Sequence, residues 1–127
     1  MGKKKMVLIV DDDIHIRRIL EFKLKRSGYD TIIAKNGEQG LGMIHDLKPD
    51  AVISDLNMPK MKGTELCRLT NPLKKDRPFL TIIITGRINP KEQEWIDEMM
   101  DTMFMEKPFS PSKIIDCLTQ YFDKTTP

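Results

Sequence analysis

The chain has 127 residues, 39% of them apolar and 31% charged, with a formal net charge of +2. Those values fit one globular domain, and a chain of this size buries roughly 68–70% of its unfolded surface, enough for a core. The small charge gives no reason to make nucleic acid the main partner, and no run approaches the ~18 apolar residues that a membrane helix needs.

In the opening segment MGKKKMVLIVDDD, a basic flank precedes an apolar run too short for a signal-peptide core. Met6 stands where an N-myristoylation motif asks for Ser or Thr. Cys67 and Cys117 are far apart and offer neither a disulfide framework nor a metal spacing. Both read as buried free thiols, which suits a reducing cytosol.

Met6 to Val10 is short, apolar throughout and rich in β-branched residues, which predicts a fully buried strand. Ile14 to Ser27 carries Ile16, Ile19, Leu20 and Leu24 at helical spacing, with Asp12 or Asp13 as cap and Gly28 as stop. Thr31 to Ala34 reads as a second strand and Asn36 to Leu47 as a helix closed before Pro49. Ala51 to Ser54 is the third strand. Thr64 to Leu69 is a helix ended by Asn71-Pro72, and the basic run Lys74-Lys75-Asp76-Arg77 reads as a solvated loop. Phe79 to Ile84 is the fourth strand, Lys91 to Met100 a helix, and Met103 to Glu106 the fifth strand. Ser110 caps a last helix that runs through Phe122, with Pro111 at its first position.

Strands alternating with helices predict an α/β fold: a doubly wound parallel sheet of five strands covered on both faces. In open sheets of this class the functional crevice lies at the carboxyl ends of the strands. Four of those ends are polar here. The first delivers Asp11-Asp12-Asp13, the third Asp55, the fourth Thr85-Gly86 and the fifth Glu106-Lys107-Pro108. Carboxylates without His or Cys neighbours suit a hard cation such as Mg²⁺. Such a cation would neutralise charge on a phosphoryl group and leave one carboxylate free to attack it. Aspartate is a nucleophile in phosphoryl transfer.

VLIVDDD, VISDLNMP, IIITG and EKPF, in this order and spacing, resemble the receiver domain of two-component response regulators. Each motif alone is weak, but all four at the strand ends of one βα repeat are strongly specific. The resemblance runs from about Lys5 to Phe122 and implies a single receiver domain over 1–127, with its core at about 5–123. It implies a flavodoxin-like (βα)5 fold with strand order 2-1-3-4-5. It also implies that Asp55 is the phospho-acceptor, with Thr85 and Lys107 contacting the phosphoryl group and a cis Lys107-Pro108 bond. Mg²⁺ would be held by Asp12 directly, Asp11 mainly through water, Asp55, and the backbone carbonyl of Asn57. Thr85 and Phe104 would form the switch, moving the surface of the fourth helix, fifth strand and fifth helix. Asn57 and Arg87 would tune the lifetime of the phosphate.

Other residues have blander readings. Asp13 is a helix-terminal carboxylate. Met99, Met100, Met103 and Met105 fill core rather than a docking surface. Trp95 is either a packed residue or an exposed anchor for a partner. His15 and His45 are surface residues. Three features depart from the family: Phe104 lacks the hydroxyl found in many receivers, Lys62 stands where an acid is frequent, and Met100-Asp101 replaces a small pair.

The expected function follows from the resemblance. The chain accepts a phosphoryl group on Asp55 from a sensor histidine kinase or phosphotransfer protein, switches a face that controls a downstream protein, and dephosphorylates itself. It is a cytoplasmic signalling domain, monomeric or dimerising on phosphorylation, and not a turnover enzyme. Neither a membrane nor direct nucleic-acid contact by this chain is expected, since only Asp-Lys-Thr-Thr-Pro follows Phe122. The alternative is a phosphorylation-independent docking module of the same fold. A Mg²⁺-dependent aspartate phosphatase would place a second acid two residues after the nucleophile, where this chain has Asn57.

Overall fold

The computed structural model describes residues 4–86 and 90–125. In chain order the elements are β1 (Met6–Val10), α1 (Ile14–Arg26), β2 (Asp30–Ala34), α2 (Gly37–Leu47), β3 (Ala51–Asp55) and α3 (Gly63–Thr70). A 3-10 helix (Asn71–Lys75), β4 (Leu80–Thr85), α4 (Pro90–Asp97), β5 (Thr102–Glu106) and α5 (Pro111–Thr125) complete the chain. All strand pairs are parallel, and the order across the sheet is β2-β1-β3-β4-β5. The expected flavodoxin-like architecture is therefore the one observed.

Both faces of the sheet are covered, and that is why β1, β3 and β4 are buried along almost their whole length and mostly apolar rather than alternating. Successive residues point to opposite faces. Val7, Ile9, Ile53, Ile82 and Ile84 pack under Leu20 and Leu24 of α1 and Ile114, Leu118 and Phe122 of α5. On the other face Leu8, Val10 and Val52 meet Ile44 of α2 and Leu66 of α3. A smaller group there, Leu56, Cys67, Ile83 and Ile96, lies under α4. β5 is an edge strand, and its side chains are half-buried or exposed.

The caps are local. Asp13 is the N-cap of α1, its side chain accepting the His15 amide. Asn36 caps α2 by accepting the amide of Gln39. Gly28 follows α1 with a φ of +94°, a conformation glycine adopts without strain.

The third α-helix ends at Thr70, ahead of Asn71-Pro72 as expected, and a 3-10 turn follows. Three expectations need correction. The fourth helix ends at Asp97, short of Met100. Lys74 is not solvated: it is 2% exposed. Cys117 is half-buried, although Cys67 is buried as expected. Trp95 is half-buried against the group under α4, with the Arg68 guanidinium 5.8 Å from its ring centre. Met99 packs there too, while Met103 and Met105 pack on the opposite face with α5. His15 and His45 are exposed.

Candidate functional site

The register aligns the carboxyl ends of the central strands. Val10 pairs with Ser54, Asp55 with Ile84 and Thr85 with Glu106. Whatever follows each strand therefore reaches the same rim.

Asp11 follows β1 directly, and its amide still donates to the Ala34 carbonyl at 3.2 Å. Its side chain is 2% exposed. The carboxylate accepts the Asp13 amide at 2.9 Å, which fixes its direction. Arg17 of α1 donates through Nη1 to the Asp11 carbonyl at 2.9 Å and ties this turn to the helix. Asp12 is exposed.

Asp55 is the last residue of β3 and only 8% exposed. Its backbone is held from both sides: Ser54 Oγ donates to the Asp55 carbonyl at 2.9 Å, and the Leu56 amide donates to the Ile84 carbonyl at 2.9 Å. The following loop closes when the Gly63 amide donates to the Leu56 carbonyl at 2.8 Å. Only glycine allows that approach, because a Cβ at position 63 would lie 2.4 Å from the Asp55 carbonyl oxygen.

Asp11, Asp12 and Asp55 each place a carboxylate oxygen within 4.8 Å of the others. Lys107 enters from β5 with Nζ 3.4 Å from Asp55 Oδ1. The Lys107 amide donates to the Thr85 carbonyl at 2.7 Å, and the Lys107-Pro108 bond is cis. Thr85 is buried at the end of β4. Phe104 lies half-buried against the group under α4. Asn57 is exposed two residues past β3. Lys62 is exposed immediately before α3. Arg87 lies outside the described residues.

Electrostatics mark the pocket as short of positive charge. Burial raises the Asp11 carboxyl to about 6, with the charges of Asp55 and Asp12 adding to the rise. The Asp13 amide and Lys107 oppose it. Three crowded hard-oxygen donors, one of them raised in pKa by burial and its acidic neighbours, fit a small divalent cation. Arg17 is the member of this neighbourhood that no motif singles out; its position six residues beyond Asp11, on the first helix, is the only trace of it in the sequence.

The comparisons with known proteins agree on one family. The pattern of the family described as Response regulator receiver domain matches residues 7–119. The alkaline phosphatase synthesis transcriptional regulatory protein PhoP of Bacillus subtilis is 34% identical over 110 residues, covering 87% of this chain and 45% of its own. Response regulator MprA of Mycolicibacterium vanbaalenii is 32% identical over 122 residues, covering 95% of this chain and 52% of its own. The chain thus spans about half the length of these curated relatives. Among solved structures, the chemotaxis protein CheY4 of Vibrio cholerae superposes with a TM-score of 0.82 at 27% identity, covering 92% of this chain and 98% of that one. No helix among the described residues is long and apolar enough to cross a membrane. With its motifs at four aligned strand ends and these likenesses along nearly its whole length, the chain belongs to the response regulator receiver domains of two-component systems.

Proposed function

We propose that Asp55 accepts a phosphoryl group from the phosphohistidine of a sensor histidine kinase or phosphotransfer protein. The observation that carries this reading is a nearly buried carboxylate at a strand end, 3.4 Å from a lysine and grouped with two further aspartates. An Asp55 carboxylate oxygen forms the new bond to phosphorus. The bond from phosphorus to the donor imidazole breaks, and its electron pair stays on the imidazole nitrogen. Lys107 pairs with a phosphoryl oxygen and Thr85 offers its hydroxyl to another. Asp11, Asp12 and Asp55, with the carbonyl of Asn57, would hold Mg²⁺, which supplies charge neutralisation during the transfer. Hydrolysis later returns Asp55 to the carboxylate, and Asn57 and Arg87 tune its rate.

The modified Asp55 gains roughly two negative charges. Thr85 is drawn toward them, and Phe104, on the neighbouring strand, responds to the space that Thr85 leaves. The face of α4, β5 and α5 then changes its affinity for a downstream protein. These events belong to the cytoplasm, where sensor kinases present their phosphohistidine.

Intact-protein mass spectrometry after incubation with acetyl phosphate tests the reading. A phosphoryl adduct that requires Mg²⁺ and is absent from Asp55→Ala is expected. A wild-type protein that binds Mg²⁺ yet gains no adduct would instead mark a docking module that works without phosphate.

A further inference from the structure

Lys74 lies in a charged run on the 3-10 turn, yet its side chain is buried and its ammonium is fully engaged. Nζ donates to the Met100 carbonyl at 2.6 Å, to the Asp101 carbonyl at 3.1 Å and to the Thr102 hydroxyl at 3.0 Å. Those are the three protons an ammonium carries. The same nitrogen sits 4.7 Å from the ring centre of Phe79. Burial lowers its pKa to about 8, with the charges of Cys67 and Asp101 opposing. The group is thus mainly protonated at pH 7.

Two of these acceptors lie in the turn that leads from α4 into β5, and the third, Thr102, opens β5 itself. Other bonds converge there. The Met100 amide donates to Asn71 Oδ1 at 2.9 Å, and the Thr81 amide donates to the Asp101 carbonyl at 2.8 Å. The Tyr121 hydroxyl donates to Asp101 Oδ2 at 2.8 Å. Asp101 has a φ of +46°, a left-handed conformation that a non-glycine residue keeps only when its surroundings enforce it.

β5 is therefore held by a lysine at each end. Lys74 grips its start, and Lys107 at its far end faces Asp55. Between them, among the described residues, the strand pairs only with β4. Thr81, in register with Thr102, carries a buried hydroxyl that has no hydrogen-bond partner among the described residues. A shift of the Thr102 or Lys74 side chain toward β4 would meet an acceptor there.

We propose that Lys74 is a positioning residue that pins the start of β5, so that rearrangement of the α4–β5–α5 face pivots about this fixed end when Asp55 is modified. The pinning stands on the geometry alone; the pivot rests on the proposed phosphoryl acceptance by Asp55.

Amide hydrogen exchange on the full chain tests both parts, using wild type, Lys74→Met and Thr102→Val. The amides of Met100 and Thr81 are the reporters, because each makes a bond that ties the turn before β5 to a neighbouring element. In unmodified Lys74→Met their exchange should quicken at least tenfold, while the β2 amides of Ile32 and Ile33 keep their rates. Thr102→Val, which removes one of the three acceptors, should quicken the same reporters less. It also serves as the deciding variant if Lys74→Met does not fold. Unchanged reporters, or a uniform rise across the sheet, would overturn the pin. After acetyl phosphate and Mg²⁺, the change in exchange should stop short of residues 100–102 in wild type and reach them in Lys74→Met. An identical pattern in both proteins, each carrying the adduct, would overturn the pivot. Absence of any adduct in wild type counts against phosphoryl acceptance and the pivot together, and leaves the unmodified-state result to judge the pin.

Discussion

Asp11 carries the pH behaviour of the pocket. Its carboxyl is raised from 3.8 to about 6, first by burial and then by its acidic neighbours. A raised folded-state pKa means that the folded protein holds this proton more tightly than the unfolded chain does. The associated stability is present in full below about pH 4 and is lost as pH rises through about 6. At 1.36 kcal/mol per pKa unit, the loss is on the order of 3 kcal/mol in the metal-free protein. Asp11→Asn removes the charge and keeps an oxygen for the Asp13 amide. It should therefore stabilise the metal-free protein by about 1–3 kcal/mol at pH 7.5 and by little at pH 4. Urea unfolding in EDTA at the two pH values checks this, and an equal effect at both would mean that the carboxyl is not the cause. Mg²⁺ held here as proposed would compete with the same proton. Its stabilising effect on Tm should be clear at pH 8 and vanish near pH 5, and a Tm rise that ignores pH would place the ion elsewhere.

At the scale of elements, the tightest constraint is where α3 begins. Gly63→Ala would drive a methyl to 2.4 Å from the Asp55 carbonyl oxygen and 3.0 Å from the Leu56 Cα. Both are backbone atoms that cannot turn aside. The substitution should cost about 1–3 kcal/mol and displace the end of β3, so that Asp55 phosphorylates slowly even where the protein remains folded. Gly42→Ala is the control: it lies within α2 with nothing inside 4 Å, and should stabilise by roughly 0.5–1 kcal/mol. Chemical denaturation of both variants decides the matter; similar effects would remove the steric argument. The same scale shows what was legible in the residues. β1, β3 and β4 announce themselves because a strand buried on both faces is mostly apolar, and the polar residues at their carboxyl ends then stand out. The reach of α4 was overestimated because Met99 and Met100 continue a helical pattern that the left-handed Asp101 and the amide bond to Asn71 cut short. Lys74 was misread for a related reason. Its acceptors lie 26 to 28 residues away, and nothing in Lys74-Lys75-Asp76-Arg77 records them. Asp55 and Lys107 lie still farther apart in sequence, yet their motifs name them.

Across the whole molecule, the helices are unequally anchored. α1 and α5 share one continuous group that includes Leu20, Leu24, Ile114, Leu118 and Phe122. α4 places one fully buried residue, Ile96, in a group of four, and that group backs onto edge strand β5. Local opening follows the least buried apolar contact, so α4 should release before the rest of the fold. Native-state hydrogen exchange in low denaturant should show the α4 amides exchanging by a local opening, while those of Ile9, Ile53 and Ile82 wait for global unfolding. Ile96→Ala should deepen that difference, quickening α4 with a modest change in the global midpoint. Ile53→Ala, in the centre of the sheet, should cost about 2–5 kcal/mol globally. Exchange of α4 only through global unfolding would defeat the reading. The proposed switching face then has a physical basis: α4, with a single buried residue, stands beside the edge strand β5, so a new charge at Asp55, if added as proposed, would act on the part of the molecule that moves at least cost.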